Sequence, residues 1–324
     1  MIDGFSSIVA VMYHYVPETG RRLPGPTPDE LRRQVERLLA SCEAVSPEQL
    51  TAFFEAPPSP PPRADGRRGV VFTFDDGLKE HRTIVAPLLK EYGVQGHFLV
   101  SPRVLEAPVV LPVHRRHLLV SHLGERRFRD EFLAELATRG RSVDLDALAP
   151  IDVARRHHRW GTDADRQFKY LLNYVLDQGE LEGTVQSLFH HHFPDESEVA
   201  GELYLSRKDV VELAMDFGHE VGGHGYSHAV LGRMSVDDQQ GEIQRCREVL
   251  DSILPPGPRT FSYPFGKRDS AYTNDTMDLL RRSGFYCGFS TEVGMNRRGE
   301  DLDPYEIRRI DTNDVASYLN EWGA

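Results

Sequence analysis

The stretch Val70-Val71-Phe72-Thr73-Phe74-Asp75-Asp76-Gly77 decides how this chain of 324 residues is read. Five β-branched or aromatic residues in a row make a short strand. The strand stops at two adjacent acids and a glycine, and Asp-Gly is a common turn pair. Taken alone, the run is no more than a turn. Two neighbouring carboxylates repel, however, so a site built on them requires a cation or a shared proton. In parallel α/β sheets and barrels, ligands bind beyond the carboxyl ends of the strands, which is where this pair falls.

The flanks continue the pattern. His81 to Tyr92 has helical spacing, with Ile84, Leu88 and Leu89 on one face, and Gly96-His97-Phe98-Leu99-Val100 is another strand. Strand, helix and strand in that order point to a parallel sheet with crossover helices. Upstream, Ser7 to Tyr15 reads as a buried strand ending in Tyr13-His14. Thr27-Pro28-Asp29-Glu30 opens a helix with a capping box, and Ser46-Pro47-Glu48-Gln49 repeats the device. Ala56 to Gly69 is a proline- and arginine-rich connector. From about 106 to 205 strand signals vanish and helical spacing takes over, so this segment is expected to be a helical insertion within a single domain spanning 1–324. Such an insertion often makes a lid or a partner surface. Strands resume at Glu220 to Gly223, Arg259 to Tyr263, Tyr286 to Ser290 and Tyr305 to Ile310, with helices from Ser206 to Phe217, Ser235 to Leu254 and Thr276 to Ser283.

Composition narrows the function classes. The apolar share is 40% and the charged share 27%, ordinary for a soluble globular chain. A net charge of −12 argues against a nucleic-acid partner. Three scattered cysteines, Cys42, Cys246 and Cys287, support neither a disulfide framework nor a thiolate metal site. No run is apolar and long enough to span a bilayer. Met1-Ile2-Asp3-Gly4 lacks a basic n-region, so a cytoplasmic location is expected.

A second strand end supplies the partner for the acids. His224 and His228 are four residues apart, which on a helical turn would put both on one face, among Gly222, Gly223 and Gly225. With an aspartate from another strand end they form a set of two nitrogens and one oxygen, the composition of a catalytic zinc site with an open position. Phe261-Ser262-Tyr263-Pro264-Phe265-Gly266 ends a third strand and reads either as a plain turn or as a backbone N–H and an aromatic wall beside a substrate.

Thr73-Phe74-Asp75-Asp76-Gly77, His224-x-x-x-His228 and Tyr263-Pro264-Phe265-Gly266, in that order, resemble the first three motifs of the NodB-homology polysaccharide deacetylases, carbohydrate esterase family 4. Met12-Tyr13-His14-Tyr15-Val16 resembles the opening strand of many members, and residues 289–294 and 307–310 resemble the closing strands of one branch. The likeness covers residues 5–105 and 206–315. It implies a distorted (β/α)7 barrel, a divalent metal, usually zinc, and removal of N-acetyl groups from an N-acetylated sugar. It implies Asp75 as general base, Asp76, His224 and His228 as metal ligands, and the Phe265 backbone N–H at the oxyanion, with Tyr263 and Pro264 lining the substrate.

The chain also departs from the family. No histidine follows His228, where the family keeps its general acid. His14 resembles the corresponding histidine of circularly permuted members and is the candidate acid; its other reading is a residue that only orients a ligand. The arginine that pairs with the base is replaced by Ser262, and Arg309 is the candidate substitute, with Arg308 facing away because strand neighbours alternate. The fourth motif is absent. His157-His158 and His190-His191-His192 read as surface or groove residues. Three functions remain open: an N-deacetylase of a small, carrier-linked or polymeric amino sugar, a related amidohydrolase on a non-sugar amide, and an inactive carbohydrate-binding protein. Oligomeric state is not legible.

Overall fold

The computed structural model describes residues 5–17, 23–55, 66–157, 162–300 and 302–322. Met1 to Gly4, the proline-rich stretch 56–65 and His158 lie outside them. The chain divides into two compact units, one from residues 1–20, 24–107 and 201–324 and one from residues 108–200 with 21–23.

The first unit is built on seven strands: β1 (Ser7–Tyr13), β2 (Arg68–Phe74), β3 (Gly96–Val100), β4 (Glu220–Gly223), β5 (Arg259–Ser262), β6 (Phe285–Val293) and β7 (Ile307–Asp311). Each pairs in parallel with the next in chain order, and β7 returns to β1, where Ala10 faces Arg309. The result is a closed, distorted (β/α)7 barrel. The distortion is local. β4 meets β5 through the single pair Gly223 and Phe261, and the register slips in both the β5–β6 and β6–β7 ladders. Glu43–Ala44 adds a short parallel strand beside β2, and Asn296–Arg297 runs antiparallel to β1.

Alternation along the strands sorts their side chains. Val9, Val11, Tyr13, Val70, Phe72 and Phe74 join the core formed with the surrounding helices. Ile8, Ala10, Val71, Cys287, Phe289 and Ile307 form a second cluster inside the barrel, with Leu50 and Phe53 of the helix Pro47–Glu55. With a side-chain period of two, the parity that buries Val71 and Ile307 sends Thr73 and Arg309 inward as well. The polar residues of the site are thus a continuation of the inner face toward the carboxyl ends.

Helix starts follow the local chemistry. Thr27 and Glu30 form a capping box at Pro28–Ser41, and Ser206 and Asp209 form another at Arg207–Met215. The helix expected from His81 begins instead with a π-turn, His81–Val85, before the α-helix Ala86–Glu91. The three cysteines are free and buried. Among the described residues, no helix is long and apolar enough to cross a membrane.

The second unit is helical, as the spacing over 106–205 predicts. Phe128, Phe132 and Phe168 pack edge to face or tilted at its centre, with centroids 5.5–5.9 Å apart. Its charged faces pair internally, as with Arg127 and Glu131 or Arg155 and Asp163. In the run His190-His191-His192, His190 contacts Glu196 and His192 contacts Glu131, so these two imidazoles serve carboxylates within the unit.

Candidate active site and metal centre

The acidic pair splits as its backbone turns. Asp76 has φ 81°, which swings its carboxylate away from that of Asp75, and Gly77 follows at φ 68°. A Cβ on Gly77 would lie 2.8 Å from Val100 Cγ1, so only glycine fits the turn. Among the described residues other than glycine, positive φ occurs at Asp76, His228, Phe265 and Asp269. Three of these four stand at the candidate site, where backbone strain is most often retained.

Asp76 Oδ1 lies 3.3 Å from His224 Nε2 and 3.2 Å from His228 Nε2, and all three side chains are buried. One ligand atom from each lies within 4.8 Å of the others. The histidines do not share a helical turn as their spacing predicts. They sit on an irregular loop after β4, with Gly225 at φ 65° and His228 at φ 62°. Anchors take the place of helical hydrogen bonds. The His224 N–H donates to Val100 O, Ser101 Oγ donates to His224 O at 2.7 Å, and Ser227 donates through N–H and Oγ to Glu242 at 2.9 and 2.8 Å.

His224 Nδ1 is 2.9 Å from Ser262 O and 2.6 Å from Ser262 Oγ. A proton on Nδ1 satisfies both acceptors and leaves the Nε2 lone pair facing Asp76, the orientation a metal-ligating imidazole needs. Ser262 Oγ in turn donates to Asp75 Oδ1 at 3.2 Å. Burial opposes a charged His224, but Asp75 and Asp76 outweigh it and raise its pKa. The cage therefore favours positive charge at its centre. Two imidazoles, one carboxylate and that field fit a divalent cation of the zinc type.

Asp75 is 1% exposed and carries its own cation. Arg309, also 1% exposed, places Nη1 3.0 Å from Asp75 Oδ1 and Nη2 2.9 Å from Oδ2. The first contact is a hydrogen bond; the second is electrostatic, its angle lying outside hydrogen-bond geometry. Arg309 is fixed by Nε to Ser290 O at 2.7 Å and Nη1 to Thr73 Oγ1 at 3.0 Å. Burial pushes the Asp75 carboxyl up, but Arg309, with His224 and His14, more than reverses this and holds it below the ordinary value. Arg308 points the other way and pairs with Glu300 at 3.0 Å.

His14 follows the end of β1 and is half-buried. It is one of the groups that lower the Asp75 carboxyl. The Phe265 ring is 49% exposed and stands edge-on to His228 at 5.0 Å. Tyr263 is different. Its side chain is fully buried, stacks on Tyr272 at 4.0 Å and donates to Tyr305 O, so it belongs to the core and not to a substrate wall. The parity of β5 explains this: Ser262 faces inward and its neighbour Tyr263 must face outward. Pro264 is buried near Gly225, whose Cβ would meet its ring at 3.3 Å. Thr73, Ser101, Glu242 and Ser262 complete the support of the site. Thr73, Ser101 and Ser262 were signalled in the sequence only by their position at or near strand ends, and Glu242, inside the helix Val236–Asp251, by nothing.

Comparison with known proteins now adds to this geometry. A polysaccharide deacetylase family model matches residues 184–288, which include the histidine pair and the third strand end but not Asp75-Asp76. A putative polysaccharide deacetylase, YxkH, of Bacillus subtilis is 23% identical over 107 residues, 33% of this chain and 36% of that protein. A peptidoglycan deacetylase of Helicobacter pylori is 24% identical over 131 residues, 40% of this chain and 41% of that protein. The matches thus span well under half of those relatives. The solved structure of the Streptococcus pyogenes deacetylase PplD in complex with acetate superposes with a TM-score of 0.56 at 15% identity, covering 97% of this chain and 99% of that one. Motifs and family match agree: the chain is similar to the NodB-type polysaccharide deacetylases, and it shares their barrel fold.

Proposed function

We propose that the protein is a metal-dependent hydrolase that removes an N-acetyl group from an amino sugar or glycoconjugate. The observation that carries this reading is the division of labour in Asp75-Asp76. One carboxylate joins two imidazoles in a ligand set, and the other is held ionised by a buried arginine beside it. A structural turn has no need of either arrangement.

A divalent metal, zinc by its donor set, would be held by Asp76, His224 and His228 and would supply polarisation of the amide carbonyl and acidification of water. Asp75 accepts the proton of the attacking water, and Arg309 keeps Asp75 in the basic form between turnovers. Ser262 links Asp75 to His224, so base and ligand hold a common orientation. The Phe265 N–H is assigned to the developing oxyanion. His14 delivers a proton to the departing amine, without which an alkylamine does not leave. Residues 106–205 are read as an insertion in one catalytic domain covering 1–324.

The relatives named above bear polysaccharide and peptidoglycan deacetylase names, so N-acetylated sugar polymers belong in the test with monosaccharides and nucleotide sugars. The experiment measures acetate release from such a panel by metal-loaded protein. Release by wild type and its loss in Asp75→Asn support the proposal. Full activity in Asp75→Asn would refute the mechanism, and formate or a ureide product would move the protein to a non-sugar amide.

A further inference from the structure

We propose that His81 is a positioning residue that sets the orientation of His14 from the π-turn following the acidic pair; this rests on the deacetylase reading and on the assignment of His14 as its acid. The end of β1 and the segment after it are tied to the segment after β2 by three bonds in succession. The Asp75 N–H donates to Tyr13 O at 2.9 Å. His81 Nε2 lies 2.8 Å from His14 O, and since a carbonyl only accepts, Nε2 carries the proton. The Val16 N–H donates to Glu80 Oε1 at 3.3 Å. The bonds to Asp75 and Glu80 bracket His14, and the bond from His81 holds its own carbonyl, so the backbone from which its imidazole projects is fixed.

His81 is poorly suited to being mere filler. It is fully buried, lying against Phe74 at 5.7 Å and Phe98 at 5.8 Å. Among the described residues its Nδ1 has no hydrogen-bond partner. A buried polar atom left unpaired disfavours folding, and an aromatic hydrocarbon would fill the same place without that penalty. The helix also departs from α geometry at this residue: the Ala86 N–H bonds to His81 O, five residues back. Single π-turns hold one residue more than the α-helix requires and occur preferentially at functional sites. The stretch carrying Asp75 and Asp76 therefore also holds the backbone of His14, so base, ligand and acid share one frame.

The test compares wild type, His81→Phe and His81→Gln at equal metal content. Phenylalanine keeps the packing and removes the donor; glutamine restores an N–H donor. Two substrates separate the steps: an N-acetylated amino sugar, whose amine must be protonated to leave, and 4-nitrophenyl acetate, whose phenolate leaves unaided. His81→Phe should lower kcat on the amide at least tenfold with KM within twofold, and leave the ester rate within twofold. His81→Gln should recover a substantial part of the amide rate. Amide hydrogen exchange in a peptide covering 13–17 should be at least tenfold faster in His81→Phe. Equal loss on both substrates, or no loss on the amide, would overturn the proposal, as would unchanged exchange. Wild-type protein that released no acetate from any N-acetylated sugar would overturn the deacetylase reading and the proton-delivery role with it. The exchange data would still decide whether His81 holds the loop.

Discussion

Replacing Arg309 by methionine should cost more stability at neutral pH than at acid pH, and the difference measures the charge it neutralises. In the wild type, Arg309 faces Asp75 through two contacts of 2.9–3.0 Å, and both side chains are almost wholly buried. Removing one partner of such a pair leaves an uncompensated buried charge and costs about 3–5 kcal/mol. The neutral losses are smaller. The bonds to Ser290 O and Thr73 Oγ1 together contribute about 1–3 kcal/mol. The sign follows from the Asp75 carboxyl, which lies below its ordinary value in the wild type. Its stabilising contribution is present above the unfolded-state pKa and is lost as pH falls through the folded-state value. Without Arg309, burial dominates and lifts the same carboxyl, so the variant weakens as pH rises. The gap between the two proteins should widen from about pH 4 to pH 7 and then level. Urea unfolding with chelator present, at pH 4, 5, 6 and 7, reads this directly. Asp75→Asn in the Arg309→Met background should return most of the loss at pH 7. A gap independent of pH, or a double variant no better than Arg309→Met, would show that Arg309 acts by packing alone.

Asp76→Asn should bind substoichiometric zinc by elemental analysis while its fold persists by circular dichroism; full zinc content would remove Asp76 from the ligand set. Glu220, at the start of β4, has a carboxyl raised by burial from 4.5 to about 7, an effect its neighbours Thr260 and Arg259 only partly offset. Its contribution is present below the unfolded-state pKa and is lost as pH rises through about 7, so Glu220→Gln should gain stability relative to wild type between pH 5 and 8, by about 3 kcal/mol at most. A flat difference across that range would contradict the shift. Gly222→Ala would put a Cβ 2.3 Å from Thr260 O and 2.8 Å from Leu99 Cδ1 and should lower stability by roughly 1–3 kcal/mol or more. An unchanged melting temperature would mean β4 and β5 separate more readily than their contact implies.

What the sequence discloses about this site depends on whether a residue's direction is set by strand parity or by loop closure. Arg309 was legible because it lies on a strand: with Ile307 in the barrel interior, the residue two positions on must point the same way, and its neighbour Arg308 must not. The same rule, applied to β5, places Ser262 inward and removes Tyr263 from any substrate wall. A likeness to the family's third motif led to the opposite expectation for Tyr263, so here alternation was the better guide than the motif. His228 could not be read in this way. Its backbone lies at φ 62° because Ser227 is bound by Glu242, fifteen residues later, and His224 by Ser101, far earlier in the chain. A spacing of four implies a helical turn only where local hydrogen bonds decide the backbone, and in this loop distant side chains decide it. The π-turn at His81 is hidden for a related reason. Its apolar residues keep spacing compatible with an ordinary helix, and the extra residue becomes visible only through the bond that Ala86 makes with His81. A histidine that opens a helix after the strand end carrying Asp75 and Asp76 has no pattern of its own. Its meaning lies in the carbonyl it faces, and that carbonyl belongs to a residue 67 positions earlier.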